Sequence, residues 1–217
     1  MGSQTILDLI ASTMVFGTLL MIALRLNGGT MENMQSFRED ILVQQNLVAV
    51  TDLLEYDFRK IGYCKDFTVI TSPTEAIRYA DTSRITFWTD FPTSTHGSGY
   101  DGDGVLDSLT YYVGSTSEMS TTPNPNDRLI YRVENNSTPV GVYLGVTTFN
   151  LQYFDAMRNR LTTPVDSCQK IQYLQITIQV EHPVKWTKYY NTATYDTVYQ
   201  SAFWRQVRLV AKNFNNR

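Results

Sequence analysis

The chain has 217 residues and a formal net charge of -3, with 18 Lys and Arg against 21 Asp and Glu. This length predicts one domain with at most an appendage, and the charge balance excludes the basic field that holds nucleic acid. Two cysteines are too few for a disulfide scaffold or a four-cysteine zinc site. With 42% hydrophobic residues, the chain can bury a sizeable core.

Motifs of catalytic sites are also missing from the sequence. It contains no G-x-S-x-G, H-E-x-x-H or Walker A pattern, and its two histidines, His96 and His182, lie in unrelated contexts. Gly97-Ser98-Gly99 beside His96 lies among turn residues, whereas a nucleophile elbow joins a strand to a helix. We therefore expect a protein that is not an enzyme.

The first predicted element is an apolar helix. Leu9–Leu24 carries no charged residue, Asp8 precedes it and Arg25 closes it, and with its apolar flanks it nears the roughly 20 residues that span a bilayer. No Lys or Arg precedes this segment and no A-x-A pattern follows it, which differs from a cleaved secretory signal peptide. The sequence predicts a retained structural helix, with an ordinary signal anchor as the alternative.

The second predicted element continues this helix in amphipathic form. Gly28-Gly29 interrupts the apolar segment, and from about Thr30 apolar residues recur at steps of three and four. This stripe consists of Val43, Leu47, Val50, Leu54, Phe58 and Ile61. The pattern predicts one helix, weakened at the two glycines, that runs to about Ile61 and stops at Gly62, with the stripe packed in the core.

After Cys64 the hydrophobic period changes from 3.6 to 2, which predicts strands. The predicted strands are Phe67–Thr71, Arg84–Asp90, Leu109–Gly114, Leu129–Val133, Val142–Tyr153, Ile171–Val180 and Phe203–Phe214. The predicted loops are His96–Gly104, Ser115–Asp127, Asn159–Ser167 and Tyr189–Tyr199.

These elements predict an α+β fold, a long N-terminal α-helix packed on an antiparallel β-sheet head. We expect three parts: residues 1–29 as an apolar helix of transmembrane length, residues 30–62 as an amphipathic helix that continues into the head, and residues 63–217 as a β-rich globular head.

The order of these features resembles type IV pilins and type II secretion pseudopilins. The helix end Leu53–Cys64 (LLEYDFRKIGYC) is similar to the D-x-R-x-A-G-Y…C stretch of PilW- and GspJ-like minor pilins. Asp107–Tyr112 (DSLTYY), Asp127–Arg132 (DRLIYR) and Gly145–Tyr153 (GVTTFNLQY) resemble strands of that group in order and spacing. The resemblance covers nearly the whole chain.

The resemblance implies a structural subunit of a type IV pilus-like or pseudopilus filament that polymerises through its N-terminal helix. The implied partners are copies of itself, other pilins, the inner-membrane assembly machinery and a prepilin peptidase. The implied location is the inner membrane before assembly and an extracellular or periplasmic filament afterwards. Gly17 and the Gly28-Gly29 pair would allow close approach of helices or local melting, as in many pilins.

The resemblance also implies an acidic residue five positions into the mature helix, after a cut that follows a glycine. A cut after Gly2 would place Leu7 there, a mature Met1 would place Thr5 there, and a first residue Gln4 would place Asp8 there. We expect a chain processed before Met1, with Asp8 as the only candidate for the acid.

Asp8 has physical consequences of its own. A carboxylate in a bilayer costs roughly 2.5–3.5 kcal/mol on insertion scales. The helix dipole or the α-amino group of a neighbouring subunit could offset this cost, and pairing across subunits would set the axial register of a helical stack. The alternatives are that Asp8 lies at the headgroup level or caps the helix.

Asp101–Asp107 (DGDGVLD) is the candidate for ion chemistry. Calcium takes several oxygen ligands, and a glycine-rich loop can turn alternate carboxylates inward. The D-x-D-G-x-x-D pattern resembles part of a calcium loop, with Asp101, Asp103, Val105 and Asp107 as candidate ligands. The alternative is a plain Asp-Gly turn before the strand at Leu109.

Cys64 and Cys168 each lie next to the end of a predicted element. In an exported, oxidising setting one bridge between them would join the helix end to the head. We expect this bridge, with two free buried thiols as the alternative.

Two function classes follow. The first is the filament subunit. The second is a membrane-anchored exported binding or adhesion protein that does not polymerise and that grips a glycan or another protein through its Tyr-, Thr- and Asn-rich head. Tyr and Trp residues of Trp186–Tyr199 and Trp204 would form such a contact surface, or would pack on the sheet.

Overall fold

A computed structural model describes residues 2–66, 68–69, 75–92, 102–191 and 194–209. Its first element, α1, is an α-helix over Gly2–Arg59. The chain divides into two compact units, Met1–Ile41 and Leu42–Arg217. From Gly2 to Ile41 the first unit is a single run of helix, and the second contains the last turns of α1 together with the strands.

Seven strands of the described residues form one antiparallel sheet in which each strand pairs with the next in sequence. They are β1 Ile77–Ala80, β2 Arg84–Thr89, β3 Asp107–Val113, β4 Arg128–Glu134, β5 Val140–Phe154, β6 Tyr173–Asn191 and β7 Thr194–Leu209. Two short 3-10 helices, Thr116–Met119 and Cys168–Lys170, lie in the connections. The predicted α+β class is confirmed.

The core of the second unit lies between one face of the sheet and the end of α1. The predicted apolar stripe is buried there, because Val50 and Leu54 are fully covered and Phe58 is 4% exposed. The Phe58 ring lies 5.3 Å from that of Phe87 and 5.6 Å from that of Tyr111, measured between centroids. Spacing of three and four therefore placed these residues correctly on one face.

The helix ends close to the predicted stop. Its last residue is Arg59, and Gly62 follows with a φ of 70°, a left-handed conformation that favours glycine. The Gly62 amide donates to the carbonyl of Trp88 at 2.8 Å. The chain thus leaves α1 directly against the end of β2.

Most predicted strands are present, with shifted ends. The predictions at residues 84–90, 109–114, 129–133 and 142–153 correspond to β2, β3, β4 and β5. The predictions at Ile171–Val180 and Phe203–Phe214 fall on β6 and β7, of which residues 210–214 lie outside the described residues.

Two predictions about the strands are wrong. The predicted loop Tyr189–Tyr199 belongs to a long hairpin, because β6 and β7 stay paired out to Asn191 and Thr194. The predicted strand Phe67–Thr71 is not a strand at Thr68 and Val69, its only described residues, and the first strand of the described part of the chain is β1 at Ile77–Ala80. A hairpin whose two strands satisfy each other's backbone groups needs no alternating apolar face, and the apolar residues of this one do not recur at every second position, which misled the prediction.

Candidate functional site

The first unit presents apolar side chains to its surroundings. Leu7, Met14, Phe16 and Met21 are 68–73% exposed, and the helix is long and apolar enough to cross a membrane. A soluble helix normally covers such residues against a core. This surface is the candidate functional site of the first unit.

Four hydroxyl side chains of this segment are satisfied within the helix. The hydroxyls of Ser12, Thr13 and Thr18 donate to backbone carbonyls three residues earlier at 2.8–2.9 Å, and Thr30 donates to Leu26 at 2.8 Å. A hydroxyl that bonds its own helix adds little cost in an apolar medium. The segment is therefore suited to hydrocarbon or to packing between helices.

The predicted assembly residues lie on this helix. Asp8 is exposed, six residues after Gly2. Gly17, Gly28 and Gly29 lie within α1, and a Cβ added at any of them would meet nothing within 4 Å. Contacts with the described residues of this chain therefore do not require these glycines, whereas a second helix could approach closely at them.

The apolar surface continues past the charged residue Arg25. Met31, Met34, Phe37 and Ile41 are 50–71% exposed and follow one another at steps of three and four, which places them on one face of the helix. We refer to these four residues as the distal stripe. The intervening positions include Glu32, Arg38, Glu39 and Asp40, all charged.

A second feature is a cluster of carboxylates in the β-sheet unit. Asp90 follows β2, Asp107 begins β3 and Asp103 lies in the segment between them, with one oxygen of each within 4.8 Å of the others. Asp103 and Asp107 were predicted as ligands, while Asp90 was not. Asp101 lies outside the described residues, and the side chain of Val105 is 62% exposed.

Similarity to known proteins is confined to structure. No protein-family model and no curated protein matches the chain. Among solved structures, a type IV-like pilin from Thermus thermophilus is similar, with 11% sequence identity and a TM-score of 0.46, over 76% of this chain and 94% of that one.

The predicted disulfide is not formed in this structure, where both cysteines are free. The Cys64 thiol lies 3.7 Å from the carbonyl oxygen of Gly104, and the Cys168 thiol lies 3.8 Å from that of Val165. Burial raises the pKa of both thiols, and the nearby Asp90 carboxylate raises that of Cys64 further. Both are therefore protonated, poorly nucleophilic thiols at neutral pH.

A buried ionic group at the end of α1 was not predicted. Asp57, fully buried, accepts hydrogen bonds from Arg132 Nε at 2.5 Å and Nη2 at 3.3 Å and from the Tyr111 hydroxyl. Arg132 also pairs with Glu134. Asp57 follows Leu54 by three residues and Val50 by seven, so helical spacing places it on the buried face of α1. An acidic residue on that face was the sequence signal for a buried ionic group.

Proposed function

We propose that the chain is a structural subunit of a type IV pilus-like or pseudopilus filament and that copies associate through the first 41 residues of α1. The observation that carries this proposal is the distal stripe, an exposed apolar surface on a segment that also carries four charged residues. Such a segment is unsuited to hydrocarbon, since charged side chains are costly there.

Length supports the same conclusion. From Ile6 to Ile41 the helix has 36 residues and, at 1.5 Å per residue, extends about 54 Å. The hydrocarbon core of a bilayer is about 30 Å thick, so it covers Ile6–Leu26 but not the distal stripe as well. A simple anchor would leave the stripe exposed to water, whereas helices of neighbouring copies would cover it.

Head-to-tail association of one surface with a different surface of the next copy yields an open filament when the rotation does not close. In such a stack Asp8 would lie among apolar helices, where it needs a positive partner. We propose that this partner is the α-amino group of a neighbouring copy, whose pairing fixes the axial register. On this proposal the chain resides in the inner membrane before assembly and in an extracellular or periplasmic filament afterwards.

Electron microscopy tests the proposal. The full-length chain, purified in detergent, should form filaments of uniform width when detergent is removed. Asp8→Ala should reduce filament number and length, because the ion pair that would fix the axial register of the copies is lost. Asp52→Ala is the control, since it removes an exposed acid from the other part of α1, and it should assemble normally.

A wild-type chain that stays dispersed in detergent and inserts singly into vesicles would favour the membrane-anchored binding protein instead. Normal filaments from Asp8→Ala would contradict the role of Asp8 and leave the filament proposal in place.

A further inference from the structure

The carboxylate cluster of Asp90, Asp103 and Asp107 is placed by the hairpin of β2 and β3. Thr89 pairs with Asp107 across these strands, so the residue after β2 and the first residue of β3 come together beside the connecting segment. Asp90 is fully buried, Asp107 is 4% exposed and Asp103 is half-buried. Three acids thus converge beside the end of β2, and two of them are buried.

The hydrogen bonds hold these carboxylates in place and leave one oxygen without a partner. Oδ2 of Asp90 accepts from the amides of Lys65 and Gly104 at 2.9 and 3.0 Å. The two oxygens of Asp107 accept from the Phe91 amide at 2.9 Å and the Asn135 side-chain amide at 2.5 Å. Oδ1 of Asp90 is buried and has no hydrogen-bond partner among the residues that the structure describes.

Leaving such an oxygen unpaired is costly, and like charges nearby raise the cost. Within the described part of the chain, neither Asp90 nor Asp107 forms an ion pair with a basic side chain. Arg132, which lies over the ring of Phe91 at 5.1 Å, is bonded to Asp57 and Glu134. A bound cation would neutralise the charges of Asp90 and Asp107, for which the described residues supply no basic partner.

The glycines of the segment fit this arrangement. A Cβ on Gly102 would lie 1.9 Å from Oδ1 of Asp90, so only glycine lets the backbone come this close to the unpaired oxygen. Gly104 has a φ of 90°, which favours glycine, and its amide holds the other oxygen of Asp90. The segment is folded tightly around the carboxylate of Asp90.

We propose that Asp90, Asp103 and Asp107 form a binding site for one calcium ion, with Oδ1 of Asp90 as its buried ligand. Calcium takes six to eight oxygen ligands in flexible geometry, and carboxylates, backbone carbonyls and water supply them. Magnesium demands an octahedral site and usually keeps most of its water with one or two carboxylates, which suits three converging acids less well. The ion ties the end of β2 to the start of β3.

The test uses the full-length chain dispersed in detergent, so its result does not depend on filament assembly. Thermal unfolding is followed in calcium chloride, in magnesium chloride and in EDTA, and calcium binding is measured by isothermal titration calorimetry. Calcium at a hundredfold excess over Kd should raise the ratio of folded to unfolded protein about a hundredfold and so raise Tm. One calcium should bind per chain, and magnesium at the same concentration should raise Tm less.

Asp103→Asn is the informative variant, since Asp103 is half-buried and outside the strands, so its replacement should leave the sheet folded. It should weaken calcium binding at least tenfold. Asp155→Asn is the matched control, because Asp155 is half-buried like Asp103. Each of the two carboxylates also accepts a hydrogen bond of 2.9 Å from the backbone amide two residues later in the chain. Asp155→Asn should bind calcium as the wild type does.

The proposal would be overturned if the wild type had equal Tm values in calcium and in EDTA and calorimetry detected no heat of calcium binding. Because these measurements use the wild type, they test the proposal even if Asp103→Asn does not fold. Wild-type affinity in Asp103→Asn, or equal losses in both variants, would also overturn it, because binding would then lie elsewhere. A Tm rise in magnesium as large as that in calcium would overturn the assignment to calcium.

Discussion

Asp57 shows how one residue joins the last turns of α1 to the sheet. Its buried carboxylate is bonded by Tyr111 of β3 and Arg132 of β4, so three elements of the second unit share one charged centre. A buried ion pair seldom adds much net stability, because desolvation of both ions offsets their attraction. Its geometric demands are strict, however, and Asp57 accordingly fixes the rotation of this part of α1 on the sheet.

Tyr111 gives this centre a measurable pH dependence. Burial raises the pKa of Tyr111 above its ordinary value of 10.0, and the Asp57 carboxylate raises it further. A raised pKa in the folded state means that the stability it confers is complete below pH 10.0 and is lost as the pH rises toward the folded pKa. Above pH 10.0 the unfolded chain releases this proton and the folded chain keeps it.

We predict that Tyr111→Phe weakens the alkaline loss of stability. Each such proton contributes a slope of about 1.4 kcal/mol per pH unit to the free energy of unfolding, and the variant should lose that amount of slope above pH 10.0. Chemical unfolding between pH 8 and 11 measures it. Tyr153→Phe should act alike, because burial also raises the pKa of Tyr153. Identical pH profiles for wild type and Tyr111→Phe would contradict the assignment.

Individual residues were predictable where a pattern repeats and were missed where it is broken. The steps of three and four located Val50, Leu54 and Phe58 in the core, since helical geometry dictates a shared face. Asp57 and Asp90 were missed because a buried acid depends on partners distant in sequence. Arg132 lies 75 residues after Asp57, and Gly104 lies 14 residues after Asp90.

At the scale of elements, α1 carries two different apolar surfaces. Near its end, Val50, Leu54 and Phe58 are buried against the sheet, while in its first 41 residues the apolar side chains are exposed. The distal stripe is the apolar face of an amphipathic segment, and no helix or strand of the described residues covers it. The burial of one surface explains the folding of the second unit, and the exposure of the other requires a partner.

We predict that Phe37→Gln reduces filament formation without changing the stability of the β-sheet unit. Phe37 is 71% exposed, and its loss removes apolar area that neighbouring helices would bury, at about 25 cal/mol per Å². Leu53→Gln is the control, because Leu53 is also exposed, at 37%, but lies among the last turns of α1. Pelleting after detergent removal measures assembly, and equal yields from both variants would contradict a role of the distal stripe.

The strands show where periodicity suffices and where it does not. Along β2 and the second half of β5, buried residues alternate with less buried ones because one face covers the core, and the sequence pattern predicts these strands. β1 has only four residues, too few for a period to stand out. The far part of the β6–β7 hairpin is held by backbone pairing between two strands whose apolar residues do not recur at every second position, so hydrophobic patterning does not detect it.

At the scale of the whole molecule, the two units have different requirements. Leu42–Arg217 contains the apolar core, the Asp57 centre and the carboxylate cluster, so its apolar core is formed within one chain. Met1–Ile41 has an apolar surface that is exposed from Ile6 to Ile41. We infer that the first unit depends on a membrane or on other copies, whereas the second depends on neither.

Removal of residues 1–41 tests this division of roles. The remaining chain begins at Leu42 and keeps Val43, Val50, Leu54 and Phe58 for its core, so we predict a monomer that is soluble without detergent and retains its sheet. Light scattering coupled to size exclusion measures the mass, and circular dichroism measures the strand content. Removal of residues 1–30 alone keeps the distal stripe and should also abolish filaments, because too little helix is left for a continuous core.

Filaments from either truncated chain would show that contacts of the β-sheet unit drive assembly and would contradict the proposal for α1. Aggregation of the Leu42–Arg217 chain with loss of strand signal would contradict the independence of the second unit. A soluble, folded monomer would instead show that the requirement for a membrane or for other copies lies in the first 41 residues. Of these two, a bilayer alone is not enough, because the apolar surface of the helix extends about 54 Å and the hydrocarbon core is about 30 Å thick.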